Sequence, residues 1–341
     1  MVTWRPRSGR TLNLSCIFFI KWNGSVKRAV FKLYGRASIQ RLVFALCVIV
    51  GISACAESFN AKDLEEKYAD ASSQFIELDG NRIHYRDEGE GEAIVLLHGT
   101  ASSLHTWDSW AQQLSKTHRV IRMDLPGFGL TGPDFLNRYQ VNDDVVFLYA
   151  FLQKLALKKV HIAGSSLGGR IAWQYALEHP DQVETLTLLN ALGYEQESWP
   201  PPIQLAQWPV FDTMMTHVSP RFMYDLGLKD VYFDPQRVND TLVDRYFELS
   251  RYPGNLAAFP KRVKARLDRD SHLIKAVRVP TLILWGEEDR YFPVSSAHRF
   301  HSDIRQSTLR VYEQVGHLPM EEVPEASVND FTEFLALATT D

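Results

Sequence analysis

The feature that constrains this chain most is a short run with no polar interruption. Ala93 to Leu97 reads AIVLL, apolar throughout. A strand with one wet face would alternate, whereas a continuous run requires cover on both faces, as in a sheet sandwiched between helices. Val120–Met123, Val160–Ala163, Val183–Leu189, Thr281–Trp285 and Thr308–Tyr312 read as further strands. Helical spacing falls between or beyond them at Trp107–Leu114, Val145–Leu157, Gly168–His179 and Glu325–Ala338. This β–α rhythm predicts an α/β fold with a mostly parallel sheet, helices on both faces and right-handed connections. Near its start, Phe75–Leu78 and Arg82–Arg86 flank Asp79-Gly80, a hairpin signal.

The rhythm breaks between residues 193 and 279. That interval is rich in aromatics, Pro and Met (Trp199, Trp208, Phe211, Met214, Met215) and turns helical through Leu242–Leu249. A stretch this long without core strands reads as an inserted helical cap rather than a loop. The α/β core is therefore expected over 74–192 and 280–341. Residues 56–73, polar and Ala-rich, read as a tether.

Charge sets residues 1–56 apart. They carry nine Lys or Arg and no Asp or Glu, so the remainder has 37 − 9 = 28 basic against 41 acidic residues, a net of −13. An acidic body offers no basic face for phosphates, which argues against a nucleic-acid partner. Cys16, Cys47 and Cys55 are the only cysteines, so the rest of the chain has no thiol for a disulfide, a Cys-based zinc site or a thiol nucleophile. Leu42–Ala56 is an apolar run behind Lys27, Arg28, Lys32, Arg36 and Arg41. It is short for a bilayer span, which takes roughly 20 residues, and suits a secretory signal. Its end, Ile52-Ser53-Ala54-Cys55, resembles the bacterial lipoprotein signal. That resemblance implies a leader of residues 1–55, lipid attached at Cys55, and an exported, membrane-associated protein. An uncleaved N-terminal anchor and a misread non-coding leader are the alternatives.

The chemistry-bearing motifs lie at strand ends. Gly164-Ser165-Ser166-Leu167-Gly168 follows one strand and opens the next helix, the setting of a nucleophile elbow. Only Ser166 has Gly at both −2 and +2; Ser165 does not. His98-Gly99-Thr100 closes the AIVLL strand, and there His98 reads as a hydrogen-bonded turn residue rather than a catalytic one. Glu287, Glu288 and Asp289 follow the strand ending in Trp285, and each could orient a His ring and stabilise its imidazolium. His317, in Gly316-His317-Leu318-Pro319, is last in the order Ser, acid, His expected of this arrangement.

Taken in order, His98-Gly99, Asp124-Leu125-Pro126-Gly127-Phe128-Gly129, the elbow, Trp285-Gly286-x-x-Asp289 and Gly316-His317 resemble the α/β-hydrolase superfamily over roughly residues 74–340. The resemblance selects Asp289 over Glu287 and Glu288. It also implies that the backbone N–H groups of Thr100 and Leu167 form the oxyanion hole. The family's other acid position falls at Leu189-Asn190-Ala191, which has no carboxylate. A Ser at the elbow argues against the epoxide-hydrolase and haloalkane-dehalogenase branches, which use Asp there. The implied function is a serine hydrolase acting on a small-molecule ester with apolar groups, through Ser166, His317 and Asp289, with no metal or organic cofactor. A C–C bond hydrolase of the meta-cleavage-product type is the alternative, since it shares Trp285-Gly286-x-x-Asp289-Arg290; such enzymes usually hold a substrate carboxylate with a cap Arg, for which Arg221 is the candidate. A non-catalytic binding module of the same fold is a third reading, weakened by the presence of all three triad residues.

Overall fold

A computed structural model describes residues 59–195, 203–204, 207, 219–265 and 270–338. Eight strands form one sheet: β1 (Ser73–Leu78), β2 (Asn81–Glu88), β3 (Ala93–Leu97), β4 (Arg119–Met123), β5 (Val160–Ser165), β6 (Val183–Leu189), β7 (Thr281–Gly286) and β8 (Ser307–Tyr312). Their order is β1-β2-β4-β3-β5-β6-β7-β8, antiparallel at β1–β2 and β2–β4 and parallel from β4 to β8. This is the mostly parallel sheet that the apolar runs imply, in the arrangement that the resemblance to α/β-hydrolases implies. The hairpin turns at Asp79 and Gly80, both at positive φ, with Leu78 opposite Asn81.

The AIVLL strand shows why both faces need cover. Val95 and Leu97 point into one hydrophobic cluster and Ile94 and Leu96 into another, all four fully buried. The first cluster is sealed by α3 (Val141–Lys154), α4 (Leu167–Glu178) and α8 (Val294–Asp303); the second by α2 (Asp108–Leu114) and α10 (Pro324–Ala338). In the second, Trp107 and Trp110 meet edge-on, and the Trp110 indole N–H donates to Ser327 at 2.9 Å. Truncating such a buried ring would cost about 3–5 kcal/mol. Helix α3 begins four residues earlier than its apolar pattern suggests, because a Gln140–Asp143 capping box starts it in a polar stretch.

Among the described residues, three cap helices with complete bounds follow β6: α5 (Arg221–Val231), α6 (Asp240–Ser250) and α7 (Asn255–Lys264). Most of the aromatic- and Met-rich stretch before them lies outside the described residues. Within α7, Arg262 is buried and holds Asp144 of α3 through two bonds of 2.6 and 2.7 Å, while also donating to the Pro126 carbonyl. A buried charge is tolerable only when paired this fully, and removing either partner alone would cost about 3–5 kcal/mol.

The tether expected over residues 56–73 is corrected from Phe59 onward. Ala61–Tyr68 is a helix, α1, capped by the Asn60 side chain. Its one apolar interior residue, Leu64, is buried beside Leu130 and Leu249, which outweighs the polar composition of the rest. Lys67 and Tyr68 donate to Glu248 of α6, and Glu65 accepts from Arg82 of β2 and Tyr252. The leader and Cys55 lie outside the described residues. No helix among the described residues is long and apolar enough to cross a membrane.

Candidate active site

Ser166 sits between β5 and α4 at φ 53° and ψ −115°, a conformation that costs a non-glycine residue of order 1–3 kcal/mol. The neighbouring glycines make the turn possible. A Cβ on Gly168 would fall against the Leu97 carbonyl oxygen, and one on Gly164 against the Gly168 carbonyl. Backbone bonds complete the support: the Ser166 N–H donates to Leu189, and its carbonyl accepts from Arg170 and Leu192. Ser165 is fully buried, whereas Ser166 lines a cavity of about 250 Å³.

His317 lines the same cavity. Its Nδ1 lies 2.7 Å from Asp289 Oδ2. Glu287 and Glu288 are exposed and Asp289 is buried, so burial separates the three acids. Asp289 is saturated with donors: the Asn190 side-chain amide at 2.6 Å, and the backbone N–H groups of Tyr291 and Phe292 at 2.7 and 3.1 Å. With every lone pair directed, the carboxylate holds the His317 ring in the tautomer whose Nε2 is free to accept a proton. Asn190 is the residue that sequence reasoning passed over. It occupies the family's other acid position, sits at φ 42°, and spans from Asp289 to the Gly286 N–H, which donates to its Oδ1.

Thr100 and Leu167 both line the cavity beside Ser166, and neither N–H donates to a described protein oxygen. Leu167 opens α4, where the helix dipole adds to the field. Gly99 passes so close that a Cβ there would sit 3.0 Å from the Ser166 Cβ. His98 is fully buried; its Nδ1 faces the Gly99 carbonyl at 2.7 Å and its Nε2 accepts from the Leu125 N–H at 2.9 Å. Burial lowers its pKa to about 4, so it is a neutral structural group.

The cap supplies the cavity's apolar lining, including Met223, Leu228, Leu249 and Phe259. No Lys, Arg, Asp or Glu lines it among the described residues. Arg221 is not brought to the site; it pairs with Asp244 at 2.5 Å and Asp240 at 2.8 Å on the cap. Residues 196–218 contain no Lys or Arg, while the cap segment 266–269, outside the described residues, holds Arg266 and Arg269.

Comparison with known proteins agrees with this fold. The alpha/beta hydrolase fold family model matches residues 92–324. A 2-hydroxy-6-oxononadienedioate/2-hydroxy-6-oxononatrienedioate hydrolase of Pseudomonas putida is 30% identical over 250 residues, 69% of this chain and 85% of that one. A meta-cleavage product hydrolase from Pseudomonas fluorescens IP01 superposes with a TM-score of 0.67 at 25% identity, covering 78% of this chain and 98% of that one. A thermophilic esterase from Thermogutta terrifontis shares the fold at TM-score 0.67 and 24% identity, over 79% of this chain and 99% of its own. With sheet order, elbow and family match in agreement, the chain belongs to the α/β-hydrolase fold family and is a hydrolase.

Proposed function

We propose that the chain hydrolyses carboxylic esters with apolar acyl or alcohol groups through an acyl-enzyme on Ser166. The supporting observation is the apolar cavity, which holds Ser166 and His317 and has no cation among its described lining residues. As Ser166 Oγ attacks the ester carbonyl, His317 takes its proton and Asp289 stabilises the imidazolium. The carbonyl oxygen gains negative charge and is received by the N–H groups of Thr100 and Leu167, each worth on the order of 10² in rate. His317 returns the proton to the leaving alcohol, then activates the water that releases the acid. p-Nitrophenyl esters of graded chain length provide the test: turnover should rise with apolar chain length and vanish in Ser166→Ala.

The named relatives favour the alternative reading over the ester one: C–C bond hydrolysis of a vinylogous diketo acid by the same three residues. Such a substrate carries a carboxylate, and here no described cavity residue would neutralise it. Faster turnover of a diketo acid than of any ester would make this the better reading. For location, we propose export and lipid attachment at Cys55. Label from a fatty acid in the wild type but not in Cys55→Ala, expressed in a Gram-negative host, would support it; label in neither would overturn it.

A further inference from the structure

Beneath the His317 loop lies a carboxylate that the ester mechanism does not use. Glu322 ends the short helix α9 (Pro319–Glu322) and is 3% exposed. Its Oε1 accepts from the N–H groups of Gly316 at 3.0 Å and Leu318 at 3.2 Å, the two residues that flank His317. Its Oε2 accepts from the Phe233 N–H at 2.8 Å, in the chain that leaves cap helix α5. The cap also reaches the loop directly: the His317 N–H donates to the Val231 carbonyl at 3.0 Å. Gly316 is required here, because a Cβ would fall against that same carbonyl.

We infer that Glu322 is a positioning residue for His317, and that it makes the alignment of the base depend on the seating of the cap. The inference rests on the reading of His317 as general base. One side chain gathers three backbone donors, two bracketing the base and one from the chain that leaves cap helix α5. A cap that lifts at Phe233 would leave part of a buried carboxylate unsatisfied, which favours the seated cap. Burial raises the Glu322 pKa, while the three N–H bonds and the nearby His317 oppose the rise. The other groups facing this pair are Asp289 and Tyr291 from the β7 loop, and Arg237, which donates to the Glu322 carbonyl. Glu321 lies alongside, held by Tyr232, Tyr246, Arg245 and Thr106.

Glu322→Gln and Glu322→Ala separate the two links. An amide has one accepting oxygen, so Gln can serve the Gly316 and Leu318 donors or the Phe233 donor, but not all three. Ala serves none. Turnover of a p-nitrophenyl ester, per active site titrated with a fluorophosphonate, should fall about 10-fold in Glu322→Gln and about 10²-fold in Glu322→Ala. The loss should fall mainly on kcat rather than KM, since Glu322 does not line the cavity. A merely structural residue would lower the amount of active protein without lowering kcat per titrated site. If Glu322→Ala fails to fold, the near-isosteric Gln variant carries the test alone. Full turnover per active site in Glu322→Gln would overturn the inference. Ser166→Ala and His317→Ala, run beside them, keep the outcomes distinct: activity surviving in those two would instead overturn the reading of the site.

Discussion

The nucleophile and the base are held in place by different means. Ser166 is held by backbone: a positive φ, glycines on both sides, and main-chain bonds to Leu189, Arg170 and Leu192. His317 donates one backbone bond, to Val231, and is otherwise held through side chains, with Asp289 at its ring, Glu322 of the following short helix beneath its loop, and Asn190 bracing Asp289. A backbone turn either forms or does not, so the elbow should tolerate loss of the serine side chain. Side-chain support is graded, so the base should weaken in steps.

Ser166→Ala is the most severe test of this contrast. Activity should fall on the order of 10⁴ to 10⁶-fold with an unchanged melting temperature, since nothing in the turn depends on the hydroxyl. A large drop in melting temperature would mean that the serine helps to build its own elbow. Asp289→Asn should cost about 10⁴ in kcat by admitting the wrong tautomer of His317, while Glu287→Gln stays close to wild type. Equal losses at both positions would point to local damage rather than to the base.

His98 extends the comparison to stability on the elbow side. Its folded pKa of about 4 lies below the ordinary 6.5, so between these values the unfolded chain binds the extra proton. Stability should therefore rise with pH across that window and be lost on acidification, by on the order of 3 kcal/mol for this group alone. Melting temperatures from pH 4 to 7 should show a shallower slope in His98→Gln; an unchanged slope would refute the assignment. The smallest effect is expected at Asn190→Ala, about 10-fold in kcat, as Asp289 keeps its two backbone donors and His317. A loss as large as that of Asp289→Asn would make the amide indispensable.

The same contrast explains what could be read in the sequence. The elbow was legible because glycines at fixed spacing are a local requirement of the turn. AIVLL was legible because burial on both faces leaves no room for a polar residue. Asp289 needed the family pattern, since three neighbouring acids offered the same chemistry and only the fold buries one of them. Asn190 and Glu322 were not legible, because their partners lie 99 and 89 positions away at the farthest and their residue types are ordinary on a surface. Arg221 misled for a related reason. Nothing local revealed that Asp240 and Asp244 of the next helix would claim it.

Helix α1 bears on where this protein can be trimmed. The family match begins at residue 92 and the sheet at Ser73, yet neither is a safe place to cut. Removing residues up to 72 would empty the site of Leu64 and leave Glu248 without Lys67 and Tyr68. The first described residue, Phe59, lies edge-on to Phe247 at 6.0 Å; Phe247 meets Tyr224 at 5.5 Å; and Tyr224 lines the cavity. Damage from a shortened N-terminus would thus travel ring by ring to the surface that receives the substrate, and would show as altered chain-length preference before the sheet itself gave way.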